Sequence, residues 1–473
     1  MFCNGYNYVT PIKYKIEKDN TYSMDVPTGL IPEVIQILKI AKPKPHISIH
    51  NNINKPTASP IETNITLRDY QNDVAKAYKR RFRGCWQAPT GSGKTILLLS
   101  AWAYWGKPGL IIVPTQEIQE QFYDTAIDML DEEVRLKYTI GLVGGAAKRI
   151  LGETWKPGSH LTIASYQILS EPTRSAQADE LLSSVDFIAA DEGHHLPATT
   201  VYEIMQKSSA CIRYAQSATL THNELGTLYI RAATGPLIAI VYDNELIKKG
   251  WKATPKVIIT PLKCTNFSEY KATLNRNIYE NMALTIEILD IVKRHAENDE
   301  FVLIVTDRKE HMRSIFLYLR NHGIDVGMVS GNTKSKDRKK IVEAIRDGDL
   351  NAVVATQVFD EGLDIPDANA IILAQGGKSP IKHKQRIGRV LRPKEGDNVA
   401  YVYDFVFKDK GHLERHSKIR VSRYKKWLWD TEDRNPVSNP IDGQLEAIYA
   451  FTDEEKRWIK TGKGNIDADN STR

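Results

Sequence analysis

Ala88-Pro89-Thr90-Gly91-Ser92-Gly93-Lys94-Thr95 stands between two apolar stretches. Cys85-Trp86-Gln87 before it reads as the end of a short strand. Ile96-Leu97-Leu98-Leu99, with Ala101 and Trp102, reads as the start of a helix. A strand, a tight glycine-containing loop and a helix N-terminus place successive backbone N–H groups around a polyphosphate, and the helix dipole adds to the attraction. In such a loop Thr90, Gly91, Ser92 and Gly93 form the cradle and Lys94 reaches the β- and γ-phosphates, while the Thr95 hydroxyl ligates Mg²⁺. The first position of the pattern, usually glycine, holds Ala88. The expected ligand is ATP with Mg²⁺.

Phe187-Ile188-Ala189-Ala190 is a buried-strand run that ends in Asp191-Glu192-Gly193-His194-His195. A carboxylate at the C-terminal end of a parallel strand beside a phosphate loop is where Mg²⁺ finds an outer ligand. Asp191 is therefore the candidate metal ligand and Glu192 the residue that polarises the attacking water. Adjacent histidines without further spaced ligands make a poor metal site, so His195 is expected at a helix start or in an interdomain hydrogen bond. Ser217-Ala218-Thr219 ends the next strand and is expected near Asp191. Far downstream lies Gln385-Arg386-Ile387-Gly388-Arg389-Val390-Leu391-Arg392. On a helix, Gln385, Arg389 and Arg392 share one face. Two such arginines suit a γ-phosphate presented by the other half of the chain, where arginine fingers are worth roughly 10³–10⁵ in rate.

At 473 residues the chain exceeds a single core and suits two or three domains. It is 41% hydrophobic and 26% charged, with no apolar run long enough to cross a bilayer and no signal-peptide layout, so no membrane partner is expected. Cys3, Cys85, Cys211 and Cys264 are far apart and form no C-x-x-C pair, so neither a zinc site nor a disulfide framework is suggested, which fits a reducing, intracellular setting. The net charge of +6 is mild. Its distribution is not: Lys408 to Lys426 carries eight basic residues against Asp409 and Glu414, in one expected helix. Alone, such a run reads as a solvated face.

Residues 1–60 read as a small module and linker, with a strand over Tyr6–Ile16, a helix ending at Ile40, and Pro43, Pro45, Pro56 and Pro60 beyond it. Over residues 61–250, strands at Gly109–Val113, Leu161–Ala164, Asp186–Ala190 and Ile212–Gln216 alternate with helices. The rhythm restarts over 251–430, at Phe301–Val305, Asp325–Val329, Ala352–Ala355 and Ala370–Leu373. Helices are expected over His311–Asn321 and Asp337–Arg346. The fold class is α/β: two parallel-sheet lobes in tandem, a small N-terminal α+β module, and over 431–473 a helical extension with a flexible tail.

Leu67-Arg68-Asp69-Tyr70-Gln71, the Lys94 loop, Val113-Pro114-Thr115, Ser165-Tyr166-Gln167, Asp191-Glu192-Gly193-His194 and Ser217-Ala218-Thr219 follow one another in that order. Ala355-Thr356-Gln357, then Glu361-Gly362-Leu363-Asp364-Ile365-Pro366, then Gln385 to Arg392 complete the series. The ordered set, over about residues 65–425, resembles the superfamily 2 helicases with two RecA-like lobes. Helicase phosphate loops often accept a small residue in place of the opening glycine, as Ala88 does here. The Asp-Glu-Gly-His form, and Leu246-Ile247-Lys248-Lys249-Gly250-Trp251 between the lobes, are similar to the DNA-directed branch of UvsW-like phage helicases and XPB-like proteins.

The resemblance implies that Gln71 reads the adenine edge with Arg68 nearby, and that Gly362, Asp364 and Gln385 meet ATP from the second lobe. It implies that Thr115, Gly144, Gly145, Ser165, Ser330, Gly331 and Thr356 hold the nucleic-acid backbone, positioning the strand without reading its sequence. Beside such a motor the Lys408–Lys426 run becomes a phosphate-contacting surface. The expected activity is an ATP-driven helicase or translocase on forked, branched or single-stranded DNA, alongside replication or recombination proteins, acting in a host cytoplasm if phage-borne. The alternatives are a duplex translocase that does not unwind, a nucleic-acid sensor, and an RNA helicase.

Overall fold

The computed structural model describes residues 13–16, 22–41, 55–220, 224–264, 269–356, 368–376, 387–388, 391–393, 398–408, 411–437 and 451–462. Gly362, Asp364, Gln385 and Arg389, the Tyr6–Ile12 part of the expected first strand, and the tail from Lys463 lie outside them. The chain divides into two units, 1–242 and 243–473.

The first unit opens on a hairpin, β1 (Lys13–Ile16) with β2 (Tyr22–Asp25), followed by the helix Ile31–Ile40. This segment is docked on the unit's own helix Glu224–Thr234: a Cβ on Gly29 would lie 1.9 Å from the Arg231 carbonyl oxygen, and Arg231 pairs with Glu33 at 3.2 Å. The main sheet contains β3 (Arg83–Gln87), β4 (Gly109–Val113), β5 (Ile140–Val143), β6 (Trp155–Lys156), β7 (Leu161–Ser165), β8 (Phe187–Ala190), β9 (Ile212–Ser217) and β10 (Leu237–Ile240). They lie in the order β10-β3-β9-β8-β4-β7-β5-β6, parallel except where β6 returns beside β5. β4, β7, β8 and β9 are buried along their whole length, the signature of parallel strands covered on both faces. β3 and β4 are successive in sequence yet separated by β9 and β8, so the winding reverses there and a crevice opens at the strands' C-terminal ends.

The second unit has β11 (Thr254–Lys263), β12 (Val302–Thr306), β13 (Val326–Val329), β14 (Ala352–Ala355), β15 (Ala370–Ala374), β16 (Val399–Lys408) and β17 (Asp430–Asp433). Their order is β13-β14-β12-β15-β16-β11-β17, and every pairing is parallel. One face packs against the helices Met282–Ala296, Lys309–Asn321 and Asp453–Thr461, and the other against Ile341, Ile345 and Tyr424.

Two expectations are corrected here. The basic run does form a helix, His412–Lys426, but it is not wholly a surface. Leu413, Ser417, Arg420 and Tyr424 form a buried stripe. Arg420 is 1% exposed and grips Asp404, its Nε 3.1 and 2.9 Å from the two carboxylate oxygens. The second correction concerns Arg392. Ile387 and Gly388 are helical, but Leu391 to Pro393 are not, so Arg392 does not continue the helical period that the sequence suggested for it. Pro393 supplies the reason, because a proline drives the preceding residue out of the helical region. Leu391 instead joins the core, and its carbonyl accepts from Ala253 N–H at 3.1 Å.

Candidate nucleotide site and strand-end residues

β3 ends at Gln87, and the helix Lys94–Trp105 begins after a six-residue loop, at Lys94. Gly91 and Gly93 take positive φ (+79° and +70°), which bends the loop so that the helix's free N–H groups face the space above the sheet. Thr90 sits in the turn, Ser92 is buried with its Oγ donating to the Pro89 carbonyl at 2.7 Å, and Thr95 is the second residue of the helix. Gln71 is also buried. Its Nε2 donates to the Ser92 carbonyl at 3.1 Å, and its Oε1 accepts from Arg68 N–H at 2.9 Å. Tyr70 Oη donates to the same Ser92 carbonyl at 3.0 Å. The residue expected at the adenine edge thus also anchors the phosphate loop.

Asp191 and Glu192 follow β8, two strands from β3. Asp191 N–H donates to the Ile112 carbonyl at 2.9 Å, locking its start to β4. Gln216 Nε2 donates to Asp191 Oδ1 at 3.0 Å while Gln216 Oε1 accepts from Trp86 Nε1 at 3.0 Å, a relay that fixes the carboxylate from two strands. Glu192 has φ +46°, a left-handed backbone that costs a non-glycine residue about 1–3 kcal/mol and that its surroundings enforce. Its Oε2 accepts from Ser217 Oγ at 3.1 Å and lies 3.2 Å from His194 Nδ1, and its Oε1 stands 3.7 Å from Lys94 Nζ. Ser217 is where the sequence placed it. Of the two histidines it is His194 that meets Glu192, while His195 closes a short turn by donating its N–H to the Glu192 carbonyl at 2.9 Å.

The two neighbouring carboxylates are driven apart. Burial, then the adjacent Glu192 charge, raises the Asp191 pKa, so Asp191 gains from a nearby cation. Burial also opposes the Glu192 charge, but Lys94, His194 and Ser217 outweigh it and hold that carboxylate below its usual range. The donor set fits Mg²⁺: a hydroxyl at Thr95, a buried carboxylate destabilised by its own charge at Asp191, and an ammonium beside them to share a polyphosphate. Such an ion would polarise the phosphate oxygens, while Glu192 stays ionised to accept a proton.

A second group of residues lies on the other side of β4. Thr115 caps the helix Gln116–Asp128, its Oγ1 accepting from Ile118 N–H at 3.3 Å. Gly144 and Gly145 follow β5, and Ser165 ends β7. These strand ends are drawn together by Gln119, whose Nε2 donates to Val143 and Ile163 carbonyls at 2.9 and 2.7 Å. Gly144 is buried at φ +140°, and a side chain there would come within 3.0 Å of both Gln119 Oε1 and Ser165 Oγ, so the close approach of these strand ends requires glycine. In the second unit Ser330, Gly331 and Thr356 occupy the ends of the adjacent strands β13 and β14, with Ser330 N–H donating to Thr333 Oγ1 at 2.9 Å. Sequence reasoning missed Gln216, His194 and Gln119. A polar residue inside the buried strand Ile212–Ser217, and one on the buried stripe of Gln119, Phe122 and Ala126, were the available signals.

Residues 280–394 match the family described as "Helicase conserved C-terminal domain", and residues 64–222 match "Type III restriction enzyme, res subunit". "Putative helicase 22" of Sulfolobus islandicus filamentous virus is 26% identical over 73% of this chain and 65% of its own length. "DNA 3'-5' translocase XPB2" of Sulfurisphaera tokodaii is 25% identical over 76% of this chain and 86% of its own. "ATP-dependent DNA helicase uvsW" of Enterobacteria phage T4 is 24% identical over 75% and 74%. The chain thus spans just under two thirds of the viral protein's length. Among solved structures, yeast Dbp5 bound to RNA and ADP BeF3 superposes with a TM-score of 0.57 at 14% identity, covering 83% of this chain and 92% of that one. That likeness is one of fold, and both units are RecA-like. With both domain matches and the ordered site on one chain, the protein carries helicase domains and resembles the UvsW and XPB branch of the superfamily 2 helicases.

Proposed function

We propose that the chain is a DNA-stimulated ATPase that moves along DNA in the 3'-5' direction and remodels forked or branched junctions. The observation that carries this reading is the convergence of Lys94, Asp191, Glu192 and Ser217 at the ends of β3, β8 and β9, with Thr115 at the end of β4 one strand from β8 and Ser165 at the end of β7 two strands from it. Lys94, Thr95 and the loop amides hold the triphosphate, and Asp191 orients the metal. Glu192 takes the proton of the attacking water, with Ser217 and His194 fixing its carboxylate. Arg389 and Arg392, with Gln385, Gly362 and Asp364, are assigned to the nucleotide from the second unit. Thr115, Gly144, Gly145, Ser165, Ser330, Gly331 and Thr356 grip the strand through its backbone, so sequence tolerance and strong salt sensitivity follow.

DNA as the track rests on the named activities of the XPB2 and uvsW relatives, and the polarity on that of XPB2 alone of these two. The match of residues 64–222 to a restriction-enzyme subunit favours a second reading, translocation along duplex without strand separation. ATP turnover is measured with single-stranded DNA, a fork, a four-way junction and an RNA duplex, with strand-displacement and triplex-displacement assays in parallel. Stimulation by fork or junction with strand displacement supports the first reading, and triplex displacement alone the second. Undiminished turnover in Lys94→Ala, or no response to any DNA, defeats both.

A further inference from the structure

A cavity of about 360 Å³ opens in the second unit between the N-terminus of the helix Met282–Ala296, one face of the helix Lys309–Asn321, and the last helix, Asp453–Thr461. No residue assigned above to nucleotide or strand lines it. Its wall at the last helix is well built. Thr452 and Glu455 form a reciprocal cap, Trp458 is buried, and Arg313 closes the C-terminal turn by donating to the Ile459 and Lys460 carbonyls at 2.6 and 3.1 Å.

Tyr279, Tyr318 and Phe451 give the cavity aromatic sides, and Arg308, Lys456 and Lys460 give it a basic rim. The Arg308 guanidinium lies 4.3 Å from the centre of the Tyr279 ring and donates to Asn275 Oδ1 at 2.6 Å. Glu280 also lines the space but is turned to Arg276 at 3.1 Å, and Glu310 stands on the exposed first turn of its helix. The deciding group is His311, which is 2% exposed. Its Nδ1 is 2.7 Å from Thr306 Oγ1, and its Nε2 is buried with no hydrogen-bond partner among the described residues. Burial, with Arg308 adding to it, takes the ring's pKa down to about 3, so it is neutral. A buried imidazole nitrogen left unmatched is rare unless a ligand or water completes it.

We propose that this cavity binds a nucleobase, stacked on the aromatic sides with its phosphate drawn to the basic rim, and its edge hydrogen-bonded to His311 Nε2, which lies covered in the cavity wall and is uncovered on binding. Only a planar heterocycle that carries a phosphate answers all three features at once; a purely apolar guest would leave His311 unmatched and the rim unused. The volume admits a base with its sugar. The base comes from a free nucleotide or from an unpaired position of the bound strand, and the second source alone rests on the function proposed above.

The full-length chain carrying Lys94→Ala, which disables the phosphate loop, is titrated with deoxyadenosine monophosphate, with thymidine monophosphate, and with a short single strand bearing one 2-aminopurine. The His311 ring nitrogens are followed by nitrogen-15 NMR, and Ser314→Trp fills the cavity from a half-buried position. The Nε2 resonance should move on binding, and Ser314→Trp, melting like its parent, should weaken that binding by about fivefold or more. A rise in 2-aminopurine emission without monophosphate binding identifies a strand base; monophosphate binding identifies a free nucleotide. An Nε2 resonance that stays fixed with every probe overturns the proposal whatever the variant does, as does a well-folded Ser314→Trp that binds like its parent. Absence of DNA-stimulated turnover in the unsubstituted chain would defeat the motor reading and leave this one to the monophosphate titrations.

Discussion

Replacing Arg420 by methionine should loosen the second unit while leaving its surface charge pattern almost intact. Arg420 contributes one bifurcated hydrogen bond from Nε–H to both oxygens of the Asp404 carboxylate and one from a terminal nitrogen to the Phe405 carbonyl at 2.8 Å, and Tyr424 Oη donates to Asp404 at 2.7 Å. Both ion partners are within 1% of complete burial. Methionine fills much of the volume but leaves a buried carboxylate with a single phenol for company. Removing one partner of a buried pair costs about 3–5 kcal/mol. That is roughly a 10²–10⁴-fold change in the opening equilibrium, and hydrogen exchange of the β16 and His412–Lys426 peptides reads it directly. The triple change Arg420→Met, Asp404→Leu, Tyr424→Phe removes every polar member together and should restore most of the protection, since an apolar replacement of a buried pair is often neutral. A single-variant loss below about 1 kcal/mol, or a triple variant no better than the single one, would refute the claim that this arginine is a structural anchor.

Four further outcomes are expected. Lys425→Ala with Lys426→Ala, both on the exposed side of the same helix, should leave stability within about 0.5 kcal/mol and lower the slope of log affinity for DNA against log salt by about 0.9 for each phosphate no longer neutralised. Glu192→Gln should retain ATP binding yet lose about 10²–10⁴ in turnover, and a rate above a tenth of the parent's would remove Glu192 from the proton-transfer role. Asp191→Asn should abolish hydrolysis but raise the melting temperature of the metal-free protein at pH 8 by about 2–4 °C for each kcal/mol relieved. The sign follows from the raised Asp191 pKa: its protonated form favours the folded state below the unfolded pKa, and that advantage is lost as pH rises through the folded one, so the two melting curves should converge near acid pH. Gly93→Ala would put a methyl 2.6 Å from Gln71 Nε2 on a backbone at φ +70°, and should cost about 1–2 kcal/mol of stability and weaken ATP affinity in a nucleotide titration.

The phosphate loop and the Asp191 strand were readable because each is a continuous apolar run ending in a fixed chemical signature, so local pattern and tertiary role coincide. β11 and β16 were not. β11 contains Pro255 and Pro261, which ordinarily argue against an interior strand, yet β17 pairs only with Lys256 to Ile259, and both prolines fall outside that ladder. Arg420 escaped notice because a run of eight cations masks the single inward position; the spacing of Leu413, Ser417 and Tyr424 marks it only once the helix is known to cross the sheet. Arg392 was misplaced by extending a helical period through a residue that precedes proline.

β4 is shared property. On one edge its Ile112 carbonyl holds the first residue of the metal carboxylate turn, and on the other Val113 lies opposite Ser165. With neighbouring strands about 4.8 Å apart, the proposed fuel chemistry and the proposed strand grip in this unit are separated by two strand spacings, roughly 10 Å. Within the first unit these two proposed roles ride on one beam: a substitution that tilts Ile112 or Val113 should disturb ATP turnover and DNA affinity together.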